Sequence, residues 1–248
     1  MALANVRGRH ASTSLGLAWW VLDPLMLGGI FLLVFGVILD TRRGDPNYIA
    51  FLLSGLFVFF YTRRTMTAGA MAIQSNSQMV ATQRFPRLLL PLSAVIEGGI
   101  AFLFSLIPFF LIAGFVGGDW PRSSIVWLIP AFVFQSLFNF GLGLLVAQLI
   151  LPFRDIGNVM QYVGRIWMYL SPVIYPLDIR LKNVSDTLFT VFSFNPMAAI
   201  LGLYRHALLG RELLTRDIIT SAAWSVGVLV VGVVTFVRME HKIPRYLA

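Results

Sequence analysis

The sequence predicts an all-α membrane protein with six transmembrane helices, an amino-terminal amphipathic interfacial helix and a re-entrant helical pair before the last span. Three observations carry this expectation. Of 248 residues, 58% are hydrophobic and 12% charged, about half the charged share, roughly 25%, of a soluble domain. Mean hydropathy is +0.80. The apolar residues gather in blocks, several as long as the ~20 positions a helix needs to cross hydrocarbon. Short turns rich in Gly, Pro and charge part them, such as DTRRGDPN at 40–47 and GGDWPR at 117–122. Two stretches depart from plain hairpins: the polar, basic segment Ser75–Ser93, and the short apolar runs within 186–210.

Charge and cysteine content exclude other classes. The net charge of +8 would suggest nucleic acid in a soluble protein, but here the arginines cluster at the ends of apolar blocks. Membrane anchors lie in such places, so nucleic-acid binding is rejected in favour of membrane lipids. No cysteine occurs, which removes disulfides, thiol catalysis and cysteine metal sites. Arg7 and Arg9 precede a broken apolar run with no small-residue cleavage site, so no cleavable signal is expected. The chain reads as one transmembrane domain over 1–248.

Residues 1–22 mix Arg7, Arg9, His10 and serines with Leu15, Leu17, Trp19 and Trp20. That is too polar to span and suits a helix lying in the headgroup plane. Asp23-Pro24 is expected to start the first span, with Asp23 as N-cap and Pro24 where its missing donor costs nothing. This span covers about Leu25–Leu39. The second opens at Tyr48 and is interrupted by Arg63 and Arg64. Two readings of these arginines stay open: both snorkel to the headgroups, or one faces a protein-lined path for an anionic substrate.

The segment 75–87 cannot lie in hydrocarbon cheaply, because Gln78, Thr82, Gln83, Arg84 and Arg87 are polar, whereas its flanks cannot leave it. It is therefore expected to press against one membrane face, with Pro86 forcing Phe85 out of the helical region. Leu88–Val116 forms the third span and carries Glu97, read as paired with an arginine of the second span or with Arg165. Ile125–Leu151 is the fourth, closed by the charged turn Pro152-Phe-Arg-Asp155. The fifth begins near Ile156, is broken by Ser171-Pro172 and Tyr175-Pro176, and contains Arg165. Two apolar runs, Leu188–Phe194 and Met197–Leu209, are each too short to span, which predicts helices re-entering from one face and hinged at Asn195-Pro196. The last span covers Ile218–Val237, where Ala223 and Gly227 form a small pair expected to allow close helix approach.

Arginine and lysine distribution sets the topology. With both termini, Ser75–Ser93 and the Arg154 turn on one side, that side collects Arg7, Arg9, Arg84, Arg87, Arg154, Arg238, Lys242 and Arg245, which makes it the cytoplasmic side. No phosphate loop, H-E-x-x-H, G-x-S-x-G or paired-acid motif occurs, and the three histidines are scattered. Neither catalytic residues nor metal ligands are expected. The chain reads as the membrane half of a machine driven from elsewhere.

Six pieces, in order, resemble the permease subunits of bacterial ABC exporters for polysaccharides and polyol phosphates, a family that includes the O-antigen, capsule, teichoic-acid and galactan exporters. They are SLGLAWWVLDPL (14–25), VFG (34–36), FLLSGL (51–56), QRFPRLLLPLS (83–93), SPVIYPL (171–177) and FNPMAAILGLYRHALLG (194–210). The resemblance covers nearly the whole chain. It implies a homodimer in the bacterial cytoplasmic membrane, joined to two copies of a separate ATPase that binds the ATP and Mg, with no cofactor in this chain. The implied cargo is a lipid-linked glycan on a polyprenyl pyrophosphate.

Carried over by residue, the resemblance makes Gln78, Met79, Thr82, Gln83, Arg84, Phe85 and Pro86 the coupling segment. Residues 1–22, with Arg7, Arg9, Trp19 and Trp20, become the cytoplasmic gate helix, to which Arg63 and Arg64 are added for the lipid headgroup. The first and fifth spans would line the channel, making Phe31, Phe35, Tyr162, Trp167 and Tyr169 candidates for stacking on sugars, with packing as their bland alternative. Asn195 and Pro196 would belong to the external gate. The paired Arg63-Arg64 and Glu97 depart from the family's pattern. Other readings remain: export of teichoic acid, lipid or drug; a glycosyltransferase or acyltransferase acting on a polyprenyl carrier; or a proton-coupled transporter, which a single intramembrane acid disfavours.

Overall fold

The computed structural model describes residues 19–31, 33, 34, 38, 47–83, 85–117, 123–153, 155–175, 190 and 192–243. In chain order the helices are α1 (Trp19–Phe31), α2 (Tyr48–Met71), a 3-10 turn Gln74–Asn76, α3 (Ser77–Thr82) and α4 (Leu89–Ile112), which continues as a π-helical stretch Ala113–Gly117. A 3-10 turn Ser123–Trp127 leads into α5 (Leu128–Ile150). It is followed by α6 (Ile156–Leu170), α7 (Pro196–Leu209) and α8 (Thr215–Met239), closed by a 3-10 turn Glu240–Lys242. Among the described residues, four helices are long and apolar enough to cross a membrane: Tyr48–Met71, Leu89–Phe115, Ser123–Ile150 and Thr215–Met239.

The centre of the bundle is α2. It contains no proline, runs unbroken past Arg63 and Arg64, and buries residues around its whole circumference. Its 24 residues reach ~36 Å, enough for a hydrocarbon core of ~30 Å. Close packing against α4 follows from two adjacent glycines. A Cβ on Gly98 would stand 2.5 Å from Thr65 Cγ2, and one on Gly99 would stand 3.1 Å from the Tyr61 hydroxyl. The space so vacated admits a stack of Tyr61, Phe102 and Phe132, with centroids 5.6 to 6.1 Å apart. Polar bonds pin α5 to α2: Gln135 Nε2 donates to Val58 O at 2.7 Å and to Thr62 Oγ1 at 2.9 Å.

The approach of α5 and α8 is closer still. A Cβ on Gly141 would lie 2.5 Å from Val228 O, and one on Gly232 would lie 2.5 Å from Gly141 O, so the two backbones touch. Gln148 Nε2 donates to Thr235 Oγ1 one turn further on. This corrects the expectation for the last span. Nothing lies within 4 Å of a Cβ built on Gly227, and Ala223 is exposed. The buried face of α8 is instead Ser221, Ser225, Gly232 and Phe236, and the small residues that matter are those on that face.

A second correction concerns α1. The helix is already formed at Trp19, four residues before the expected cap at Asp23, and carries Pro24 inside it. An interior proline forfeits one helical bond, and the apolar run Trp19–Leu22 continues the helix backward across it. Gly28 lets α1 approach Ile112, Leu53 and Phe57. The expected end of α6 is observed: Ser171 is extended with φ −95° and ψ 147°, the backbone that a residue before proline prefers.

The helix starting at Asn195-Pro196 also matches its sequence signal. Asn195 Oδ1 accepts from Met197 N–H at 3.0 Å, Pro196 takes the first position, and Gly210 ends the helix at φ 64°. Only 14 residues long, α7 is nonetheless buried on most sides, with Met197, Ile200, Leu201, Leu203 and Tyr204 fully covered. Of the run Leu188–Phe194, only residues 190 and 192–194 are described.

Candidate functional site

Two ends of the bundle differ in chemistry. At one, here called basal, a secondary apolar cluster joins Ala72, Ile73, Val80, Leu90, Leu144, Leu151, Phe236 and Ile243, with Phe85 and Leu88 packed against it. The end of α2, α3 through Val80, the start of α4 and the ends of α5 and α8 therefore meet there. At the other, apical end, α7 meets the 171–173 turn and the start of α2.

The basal segment is held by few side chains and displays many. Val80 is buried and Phe85 half-buried, while Gln78, Thr82, Gln83 and Pro86 are exposed and Met79 is half-buried. Its polar groups mostly satisfy themselves. Ser75 Oγ donates to Met71 O at 2.9 Å, Asn76 Nδ2 to Ala72 O at 2.8 Å, and Thr82 Oγ1 to Gln78 O at 2.8 Å. Immediately after it, Arg87 clamps the far end of the chain: its backbone N–H donates to Glu240 Oε1 at 3.1 Å and its Nη1 to Glu240 O at 2.6 Å. The segment is thus joined to α4 through Leu90 and to the end of α8 through Glu240.

The arginines of α2 have different surroundings. Arg64 approaches Glu97 at 3.8 Å, the pairing expected for that buried acid, which is 9% exposed. Arg63 turns to α6: its stem packs on Gly164, where a Cβ would stand 3.0 Å from Arg63 Cγ, and its guanidinium lies 5.1 Å from the Phe60 ring. Arg165, the next residue after Gly164, lies 5.6 Å from the Tyr162 ring.

The candidate aromatics of α6 separate by face. Tyr162 and Tyr169, seven residues apart and so on one stripe, are 63% and 64% exposed. Trp167 lies on the other face, edge-on to Phe59 at 5.9 Å and tilted on Phe138 at 6.1 Å. Its indole N–H donates to Asn195 Oδ1 at 3.2 Å, and Asn195 Nδ2 donates to Ser171 Oγ at 3.0 Å. Asn195 thereby caps α7 and ties it to the end of α6. Arg7, Arg9, Phe35, Arg84 and Arg154 lie outside the described residues, as do most of the interfacial helix and the tail beyond residue 243. Trp19 is half-buried, and of Trp20 and Phe31 only the backbone is described.

Sequence reading missed three groups. Arg205 on α7 is 8% exposed, stacks 3.6 Å above the Phe51 ring, and donates from Nη2 to Pro172 O at 2.6 Å and to Val173 O at 3.1 Å. Arg211 covers the same ring at 4.6 Å. A lone arginine inside FNPMAAILGLYRHALLG was the available signal. Glu240 and the neighbourhood of Arg165 had none, since their partners are remote in sequence. Among the described residues no group of three His, Asp or Glu could hold a metal.

No family model matches the chain. It is 28% identical to the O-antigen export system permease protein RfbA of Klebsiella pneumoniae, over 98% of this chain and 92% of that protein. A Myxococcus xanthus protein of the same name is 27% identical over 81% of this chain and 75% of its own length. The capsule polysaccharide export inner-membrane protein BexB of Haemophilus influenzae is 22% identical over 94% of this chain and 83% of its own. Along nearly its whole length, this chain is similar to the permease proteins of bacterial polysaccharide export systems.

Proposed function

We propose that this chain is the membrane subunit of an ATP-driven ABC exporter. Two copies would enclose a channel between them, two copies of a separate ATPase would dock at the basal end, and a polysaccharide on a polyprenyl pyrophosphate would cross the cytoplasmic membrane. The observation that carries the reading is the basal segment. A short helix whose Val80 is sunk into the bundle, followed by half-buried Phe85, offers Gln78, Thr82 and Gln83 outward. That is the construction a docking lever needs, because the buried side transmits displacement and the exposed side meets a soluble partner. Phe85 and Val80 each contribute roughly 1.5–3 kcal/mol of burial when fully covered, sufficient to keep the lever attached to α4 and α8.

In this mechanism ATP binding in the partner moves α3. The clamp between Arg87 and Glu240 and the contact of Phe85 with the basal cluster carry the motion to α4 and α8. The basal end then faces the cytoplasm, with both termini on that side and six spans in all, α1 and α6 being the two beyond the four long helices. The exposed stripe of α6, with Tyr162 and Tyr169, faces the partner copy across the channel, where aromatic faces suit a sliding sugar chain. Residues 186–210 re-enter from the outer face, and Asn195 and Pro196 set the angle of that external gate.

The test is co-expression with a candidate ATPase. The reading expects a stable complex whose ATP hydrolysis requires both chains, and a lipid-linked glycan that accumulates inside the cell when this chain is deleted. Nucleotide hydrolysis by this chain alone, or glycan extension by it in the absence of an ATPase, would refute it and favour an enzyme acting on a polyprenyl carrier.

A further inference from the structure

Two arginines that approach one another in a membrane protein are costly unless something anionic lies between them. Arg63 and Arg165 are such a pair. The Arg63 stem rests on Gly164, the residue before Arg165, so the contact of α2 with α6 carries two like charges from adjoining positions. Among the described residues no ion pair joins either guanidinium to a carboxylate, and Glu97 lies beside Arg64 instead. Their depth also agrees. Counted from the basal ends of their helices, Arg63 is eight residues before Met71 and Arg165 nine after Ile156, which is ~12–14 Å along each axis. Both therefore lie within reach of a lipid headgroup drawn in from the basal surface.

The surroundings fit a phosphorylated amphiphile. Phe60 lies under one guanidinium and Tyr162 under the other, which holds both planes and leaves their edges available as donors. Asn158, Tyr162, Arg165 and Tyr169 fall at i, i+4, i+7 and i+11 of α6 and are all exposed. This polar and aromatic stripe would be expensive against hydrocarbon, whereas Val159, Val163, Ile166 and Leu170 beside it are suited to lipid chains. We infer that Arg63 and Arg165 form one anion site that takes the phosphate or pyrophosphate headgroup of a membrane amphiphile, its chains lying along the apolar side of α6. The inference rests on the exporter reading only for the identity of the cargo; the site itself follows from the charges.

The experiment uses the full chain in phosphatidylcholine nanodiscs, without ATPase or nucleotide, so its outcome does not depend on whether the chain is an exporter subunit. Undecaprenyl pyrophosphate and, separately, phosphatidylglycerol are titrated in, and retained lipid is counted by native mass spectrometry. Wild type is expected to retain the pyrophosphate lipid, Arg63→Gln and Arg165→Gln each to weaken retention about tenfold, and the doubly substituted Arg63→Lys, Arg165→Lys chain to keep most of it. Arg238→Gln, an exposed charge at the end of α8, should change nothing. Retention of phosphatidylglycerol alone, lost in the double glutamine variant, would support the site with a bilayer lipid as its occupant. If the double glutamine variant holds both lipids as wild type does, or Arg238→Gln costs as much, the site does not exist. An unchanged thermal midpoint in the double glutamine variant separates loss of the site from loss of the fold.

Discussion

The two ends of this bundle handle polar residues in opposite ways. At the basal end polarity is turned outward on α3, fixed by a few apolar side chains and one clamp to Glu240. At the apical end polarity is turned inward: Arg205 is buried against Phe51, its Nη2 donating to two carbonyls of the 171–173 turn. The side-chain bonds of the basal segment are mostly local. The apical arrangement cannot shift without breaking bonds between α2, α7 and the end of α6 at once. An outward-facing polar segment and an inward-facing polar seat therefore share one bundle, and α2 runs between them.

The comparison is broken most directly at Arg205. Arg205→Ala removes the stack on Phe51 and strands the carbonyls of Pro172 and Val173, for an expected loss of about 3 kcal/mol, read as a lower thermal midpoint in detergent. Next in size is Gly141→Ala, whose Cβ has no room against Val228 O. It should destabilise by about 1–3 kcal/mol, while Gly227→Ala, with open space around it, should be neutral or gain up to about 1 kcal/mol of helix propensity. Equal effects of the two alanines would mean that α8 packs on another face. At the basal end Arg87→Ala should cost only about 1 kcal/mol of stability yet weaken the proposed export, because it removes the Nη1 bond to Glu240 O and leaves only the backbone N–H bond to Glu240 Oε1. The smallest stability effect is expected for Gln83→Ala, which is exposed: no measurable change in midpoint, and weaker ATPase binding.

Much of this was legible in the sequence, and the exceptions share a cause. Long, mainly apolar runs locate α2, α4, α5 and α8, and Asn195-Pro196 with Gly210 locates α7, because those signals act within a few residues. That Glu97 pairs with an arginine was readable because a buried acid needs a cation and few are near; that the partner is Arg64 and not Arg63 or Arg165 was not. Close approach of Gly141 to Gly232 was not, since each lies in an ordinary apolar stretch and only the packing distinguishes it from Gly227. The start of α1 was missed for a related reason: Asp23-Pro24 is a good local cap, and the apolar residues before it outweighed that preference. The Arg63 stem meets α6 at Gly164, beside Arg165, which no spacing in the sequence announces.

The central claim is that α3 is the surface a soluble ATPase grips. The native chain has no cysteine, so a single thiol introduced as Gln83→Cys reports cleanly on its neighbours in a cross-linking experiment with the co-expressed ATPase. The account predicts a nucleotide-sensitive cross-link from position 83 and none from Glu212→Cys at the apical end. A cross-link from position 212, or labelling of position 83 by an impermeant reagent from outside intact cells, would contradict it.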